Sequence, residues 1–254
     1  MDFDLDLKLA ELKINGFAVF EDLVPVEKID RFRGAFMPLL EAVREDDVGT
    51  GPGKIINPNR YTLIWPFTPP FDDPELYENP VIMEFLERYW ESEDFQITCL
   101  HSNSPYPGSV HQDWHRDMAL LSPGVGLPTV PHFGVKFPLV DTCEENGSIE
   151  VLPCTQYLAE GELETRYNEL LERGNFPGRS RLNMKRGTIW VQDPRMIHRG
   201  TPNSSDQPRP ECCICYSRSW FTIGEKQHSL LGEEMEKARF DALSDRGKNL
   251  FSRV

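Results

Sequence analysis

Histidine and aspartate recur at one spacing in His111-Gln112-Asp113-Trp114-His115-Arg116-Asp117. On an extended strand, residues i and i+2 share a face about 6.6–6.8 Å apart. A His-x-Asp pair there can converge on one metal ion. Much later in the chain His198 follows the strand-like Gly187-Thr188-Ile189-Trp190-Val191. Two histidines and one carboxylate on one side of an ion suit Fe(II) and leave positions open for cosubstrate and O₂. His111, Asp113, His115 and Asp117 have the same parity, so strand period does not choose between the pairs. One ion cannot take all four, because the span from 111 to 117 is about 20 Å when extended. Taken alone, His198 is an ordinary hydrogen-bonded histidine at a strand end; only the combination gives it weight.

The surrounding residues extend the pattern. They are Trp114-His115-Arg116-Asp117, the Pro138-Leu139-Val140-Asp141 run, Glu145-Asn146-Gly147-Ser148-Ile149-Glu150-Val151-Leu152-Pro153, and Ile197-His198-Arg199-Gly200-Thr201-Pro202-Asn203 followed by Pro208-Arg209-Pro210. Over roughly residues 15 to 221 the chain resembles the phytanoyl-CoA dioxygenase family of iron- and 2-oxoglutarate-dependent oxygenases. The resemblance implies a mainly β fold with flanking helices, a double-stranded β-helix of the jelly-roll, cupin-like kind. It implies Fe(II), 2-oxoglutarate as cosubstrate, and hydroxylation of a small molecule by O₂ with release of succinate and CO₂. By position the metal ligands would be His115, Asp117 and His198, with His111 and Asp113 as the alternative pair. Arg209 falls where the family grips the far carboxylate of 2-oxoglutarate. A planar guanidinium suits that bidentate task, and Arg218 is the competitor. Thr201, close after His198, offers a hydroxyl donor. Related halogenases lack the carboxylate that Asp117 supplies, so its presence favours oxygenation over chlorination.

One departure stands out. Pro153-Cys154-Thr155-Gln156 occupies a turn where the family usually has Pro-Gly-Ser-His. Cysteine for glycine matters there only if the backbone needs a positive φ.

The framework around these residues follows from patterning. The 254 residues suit one domain: a helical N-terminal part to about residue 94, a β-barrel core over about 95–221 and a charged closing helix over about 230–251. Residues 5–13 have a helical pattern and Phe17–Phe20 reads as a strand. Pro25–Arg44 is a helix that Pro38 should kink or interrupt. Asn79 caps a helix whose first turn holds Pro80. The Gly- and Pro-rich 46–74 stretch reads as a long loop that could cover the site. Within it, Arg60 is either a ligand for an anionic substrate group or a surface charge. Strands are expected over Gln96–His101, Val110–Met118, His132–Val140, Ile149–Leu152, Thr188–Val191 and Cys212–Phe221, with a helical excursion over Ala159–Gly174. Trp114 and Trp190 read as core aromatics, and His101, His132 and His228 are given no role.

Composition excludes several classes. Twenty-seven Lys and Arg against 41 Asp and Glu leave a net charge of −14, which argues against nucleic acid and anionic lipid partners. No apolar run approaches a membrane span. The acidic MDFDLDLKLAEL start is no secretory signal, so a cytoplasmic location is expected. The six cysteines read as small buried hydrophobes in a reducing compartment. Cys212 and Cys215 should lie on opposite faces of a strand, and no second ligand pair for a thiolate metal site is visible. Two other classes share the barrel. One is a cupin-like metal enzyme that does not use 2-oxoglutarate; the other is a non-catalytic jelly-roll binding module.

Overall fold

The computed structural model describes residues 3–46, 53–118, 129–158, 174, 178–221, 235 and 237–251. Helix α1 (Leu5–Asn15) begins where the Asp4 carboxylate accepts from the Leu7 amide at 3.0 Å. It ends at Gly16, whose φ of 87° is open to glycine without cost. Strand β1 (Phe17–Phe20) follows, then helix α2 (Val26–Asp46), which continues through Pro38 instead of ending there. Ile29, Phe32, Phe36 and Leu40 on α2 are fully or almost fully buried. That apolar stripe outweighs the one backbone hydrogen bond that proline removes.

The expected 46–74 loop contains a hairpin. β2 (Gly53–Asn57) pairs with β3 (Arg60–Leu63), and β3 joins the sheet. Asn59 turns the chain with a φ of 55°, a conformation asparagine tolerates. The flanking glycines and prolines obscure the short β-type run at residues 60–63. Short helix α3 (Pro74–Tyr77) precedes α4 (Pro80–Trp90), which is capped as expected by the Asn79 side chain accepting from the Val81 and Ile82 amides.

The remaining strands are β4 (Phe95–Pro105), β5 (His132–Pro138), β6 (Glu150–Val151), β7 (Ser180–Arg181), β8 (Ile189–Gln192), β9 (His198–Arg199) and β10 (Glu211–Arg218). The main sheet is antiparallel with order β1-β8-β5-β10-β4-β3-β2, and a small sheet has order β7-β6-β9. Two antiparallel sheets flanked by helices form the expected jelly roll. Residues 110–118 are not a regular strand. They nevertheless track residues 194–200, bridging at His115 and His198, with the Gln112 amide donating to Gly200 O and the Asp117 amide to Pro194 O. Among the described residues the tail forms two short helices, α5 (Lys237–Asp241) and α6 (Asp245–Leu250), where one closing helix was expected. Ser244 caps the second, its side chain accepting from the Gly247 amide. The expected excursion at 159–174, apart from Gly174, and His228 lie outside the described residues.

Alternation sorts the main sheet into two faces. Phe133, Val135 and Phe137 of β5, Ile189 and Val191 of β8, and Cys212, Ile214 and Tyr216 of β10 join the large core with Phe20, Phe32 and Phe85. Phe32 makes edge-on contacts to Trp65, Phe71 and Phe137 at 5.7, 4.8 and 5.5 Å. The intervening residues, among them Gln192, Lys136, Cys213 and Cys215, take the opposite face, the chamber face, from which Lys136 and Gln192 reach Asp117. Cys212 and Cys215 therefore do part, as strand parity requires.

Candidate metal centre

His115 and His198 face one another across a narrow antiparallel pairing. Each amide donates to the other's carbonyl at 3.0 Å, so the two side chains emerge on one side of the ladder. Their ring centroids are 4.4 Å apart. Asp117, two residues past His115, brings Oδ1 to 3.7 Å from His115 Nε2 and 3.4 Å from His198 Nε2. One ligand atom from each of the three lies within 4.8 Å of the others. His111 and Asp113 are exposed and outside this group. The irregular path of 110–118 produces this convergence, since a straight strand would keep both pairs equivalent.

The histidines are oriented for coordination. His115 Nδ1 donates to the Asp113 carbonyl at 2.7 Å and His198 Nδ1 to the Met196 carbonyl at 3.0 Å. A carbonyl only accepts, so the His115 ring proton sits on Nδ1 and its Nε2 lone pair is left for a ligand, whereas His198 Nδ1 is also 3.0 Å from the Gln192 side-chain amide nitrogen. Burial holds the His115 imidazole down to about 4, helped by the neighbouring His198 ring. Burial alone would raise the Asp117 carboxyl. His198, Lys136 and His115 outweigh it and hold the group well below the usual carboxylate range. The result at neutral pH is a neutral His115 ring beside a carboxylate, the protonation pattern that metal ligation requires. Lys136 Nζ lies 3.5 Å from Asp117 Oδ2, and it donates to Gln192 Oε1. The Gln192 amide in turn reaches Asp117 Oδ2 at 3.4 Å. The second carboxylate oxygen is thereby tethered, leaving Oδ1 toward the histidines.

An unbalanced set of cations lies beside the centre. Arg209 is buried on the approach to β10, and its guanidinium pairs with Glu211 at 2.9 Å. Arg60 is also fully buried, correcting the surface alternative, and donates to the Thr201 carbonyl at 2.8 Å. Burial, with Arg209 nearby, pulls the Arg60 guanidinium down to about 9. Arg181 donates to the Thr201 hydroxyl at 2.6 Å. That hydroxyl itself donates to Ser148 O at 2.8 Å, so Thr201 is already engaged at both ends. Glu150, the other buried acid nearby, is taken by Arg179 and Arg199. The Nε atoms of Arg60 and Arg209 are buried without a partner. Buried cations with orphaned donors are costly unless an anion completes them, so a dicarboxylate cosubstrate fits the residues present. Gly200 permits the arrangement: a Cβ there would meet Arg60 Nη1 at 2.6 Å and Gln112 Oε1 at 2.4 Å. Arg218 is placed elsewhere, at the far end of β10, donating to Trp90 O at 3.2 Å.

Sequence reasoning raised Arg60 as an anion ligand but placed it in an apparent loop. It missed Lys136 and Gln192, which sit in runs whose unbroken burial masks one polar face. Cys99 and His101 were not seen to be cross-strand neighbours of Cys215 and Cys213. Trp114 and Trp190 are buried as expected, and Trp114 lies 4.3 Å beneath the Arg199 guanidinium. At the departing turn, Cys154 has a φ of 69°, so the backbone there does require the conformation that favours glycine.

Solved structures share this architecture. HygX from Streptomyces hygroscopicus, with nickel and 2-oxoglutarate bound, is 14% identical with a TM-score of 0.65 over 85% of this chain and 88% of that one. AviO1 from Streptomyces viridochromogenes Tue57 is 15% identical with a TM-score of 0.63, covering 88% of this chain and 99% of its own. The non-haem α-ketoglutarate-dependent epimerase SnoN from nogalamycin biosynthesis is 18% identical with a TM-score of 0.63, over 84% and 80%. At such identities the likeness speaks for the fold. The family assignment rests on a separate match, to phytanoyl-CoA dioxygenase over residues 12–210. The chain belongs to the phytanoyl-CoA dioxygenase family and is a 2-oxoglutarate-dependent non-haem iron enzyme.

Proposed function

We propose that this chain, as one oxygenase domain, oxidises an unactivated C–H bond of a small molecule. His115, Asp117 and His198 would hold the iron and Arg209 the far carboxylate of 2-oxoglutarate. The observation that carries this reading is the convergence of those three side chains within 4.8 Å. Iron with 2-oxoglutarate and O₂ supplies a two-electron oxidant, with succinate and CO₂ as coproducts.

The chain's own residues do the positioning. Asp113 O and Met196 O fix the imidazole planes through Nδ1. Lys136 and Gln192 tether the outer carboxylate oxygen of Asp117. Arg209 and Arg60 draw a dianion into the buried end of the chamber and set its register relative to the histidines. The Asp117 side chain is 42% exposed and that of His198 4%, so the substrate approaches from the Asp117 side. Asp117 also fills the position that a halide would need, which supports oxygenation as the outcome. HygX has been solved with hygromycin B bound and SnoN is an epimerase. These precedents support a small-molecule substrate and keep stereochemical inversion as the second outcome of the same C–H step. Among the described residues no helix is long and apolar enough to cross a membrane. All six cysteines are thiols, which supports a reducing, cytoplasmic setting.

The test is succinate formation from 2-oxoglutarate with Fe(II) and O₂, across a panel of small hydroxylated metabolites. Succinate that rises with one substrate and tracks an oxygenated or epimerised product supports the reading. Metal-dependent turnover indifferent to 2-oxoglutarate would favour the cupin-like alternative.

A further inference from the structure

Four soft or borderline ligands stand at the corners of a rectangle on the chamber face of β4 and β10. Cys99 and His101 are two apart on β4, and Cys213 and Cys215 are two apart on β10. The register pairs Cys99 with Cys215 and His101 with Cys213. One ligand atom each from Cys99, His101 and Cys215 lies within 4.8 Å of the others. Cys213 stands outside that group of three, with its Sγ 3.8 Å from Cys215 Sγ. In a tetrahedral site with Zn–S bonds of about 2.3 Å, neighbouring sulfurs are separated by about 3.8 Å. His101 Nε2 is buried with no hydrogen-bond partner. None of these four residues belongs to the His115–Asp117–His198 group.

We propose that Cys99, His101 and Cys215, with Cys213 completing the set, bind a thiophilic d¹⁰ cation such as zinc(II), in a second site separate from the iron centre. Three cysteines and one histidine are a common structural zinc set. The imidazole brings a neutral lone pair, and each thiol that binds releases its proton to solvent. Three thiolates around a divalent ion leave one negative charge. Lys136, which pairs across the sheet with Cys213 on the other side, is placed to balance it. The same Lys136 reaches Asp117 at 3.5 Å, so the second cation stands one strand beyond the iron centre's own tether. A bound ion would clamp β4 to β10.

The probe is cobalt(II), added to the metal-free chain. Thiolate ligation gives an intense near-ultraviolet sulfur-to-cobalt band, whereas a two-histidine, one-carboxylate site gives none. The wild type should take up two equivalents and show the band. His198→Ala should lose one equivalent and keep the band; Cys215→Ser and Cys99→Ser should lose the band and keep the other equivalent. Should a serine variant fail to fold, the wild type still decides. One equivalent without a sulfur band, or a band that disappears in His198→Ala and persists in Cys215→Ser, overturns the proposal.

Discussion

The helix-covered face of β5, β8 and β10 holds Phe133, Val135, Phe137, Ile189, Val191 and Ile214, each at most 2% exposed. The chamber face of the same strands holds Gly134, Lys136, Gln192, Glu211, Cys213 and Cys215, and most of these are also buried. The two faces differ in chemistry and hardly in burial. The first buries aromatic and β-branched carbon, which stabilises in proportion to the area removed from water. The second buries charge and hydrogen-bonding groups, which cost free energy unless each is paired or given a ligand. Stability therefore resides on one side of the sheet and function on the other, within a single layer of backbone.

Substitutions can break that division if it is wrong. Phe32→Ala removes the hub of the aromatic cluster on the helix side. It should cost about 3–5 kcal/mol in denaturant unfolding while leaving metal affinity in the surviving folded fraction unchanged. Arg209→Ala acts on the other face. It should weaken 2-oxoglutarate by about 2–5 kcal/mol, or roughly thirty-fold to a few thousand-fold, with metal content near wild type. Cosubstrate titration of the metal-loaded protein under anaerobic conditions measures this, and Arg218→Ala is the control that should bind normally.

The chamber face also predicts a pH signature. Burial, the leading cause in each case, holds His101, His115 and His132 down to about 4 from an ordinary 6.5. Between those values the unfolded chain binds more protons than the folded one, so stability rises with pH. Metal-free protein should lose stability as pH falls from 6.5 towards 4, seen as a declining urea midpoint. A flat midpoint across that window would mean that these rings are already solvated. The smallest effect belongs to the turn after β6. Cys154→Gly should relieve the left-handed strain at Cys154 and raise stability by about 1 kcal/mol.

Much of this was legible in the sequence. Capping at Asn79, the strands β1, β4, β5, β6, β8 and β10 in outline, and the jelly-roll class follow from period and punctuation. His198 follows from its pairing with an upstream His-x-Asp. What escaped has physical reasons. The β2–β3 hairpin lies among prolines and glycines, so Arg60 looked like a loop residue. Pro38 is overridden by packing of the α2 stripe. The choice between His111/Asp113 and His115/Asp117 depends on slips in the pairing of 110–118 against 194–200, and period alone carries no information about slips. The Cys99–His101 partnership with β10 depends on cross-strand register, which two segments far apart in sequence do not reveal.

Metal analysis of two single variants is the sharpest check on the proposed iron ligands. His111 is exposed and lies outside the converging group, whereas His115 Nε2 faces Asp117 and His198. With the thiol site kept free by a thiol-reducing, zinc-free preparation and Fe(II) added anaerobically, His111→Ala should retain the iron bound by the wild type and His115→Ala should lose it. An iron-free His111→Ala beside an iron-loaded His115→Ala would contradict the account.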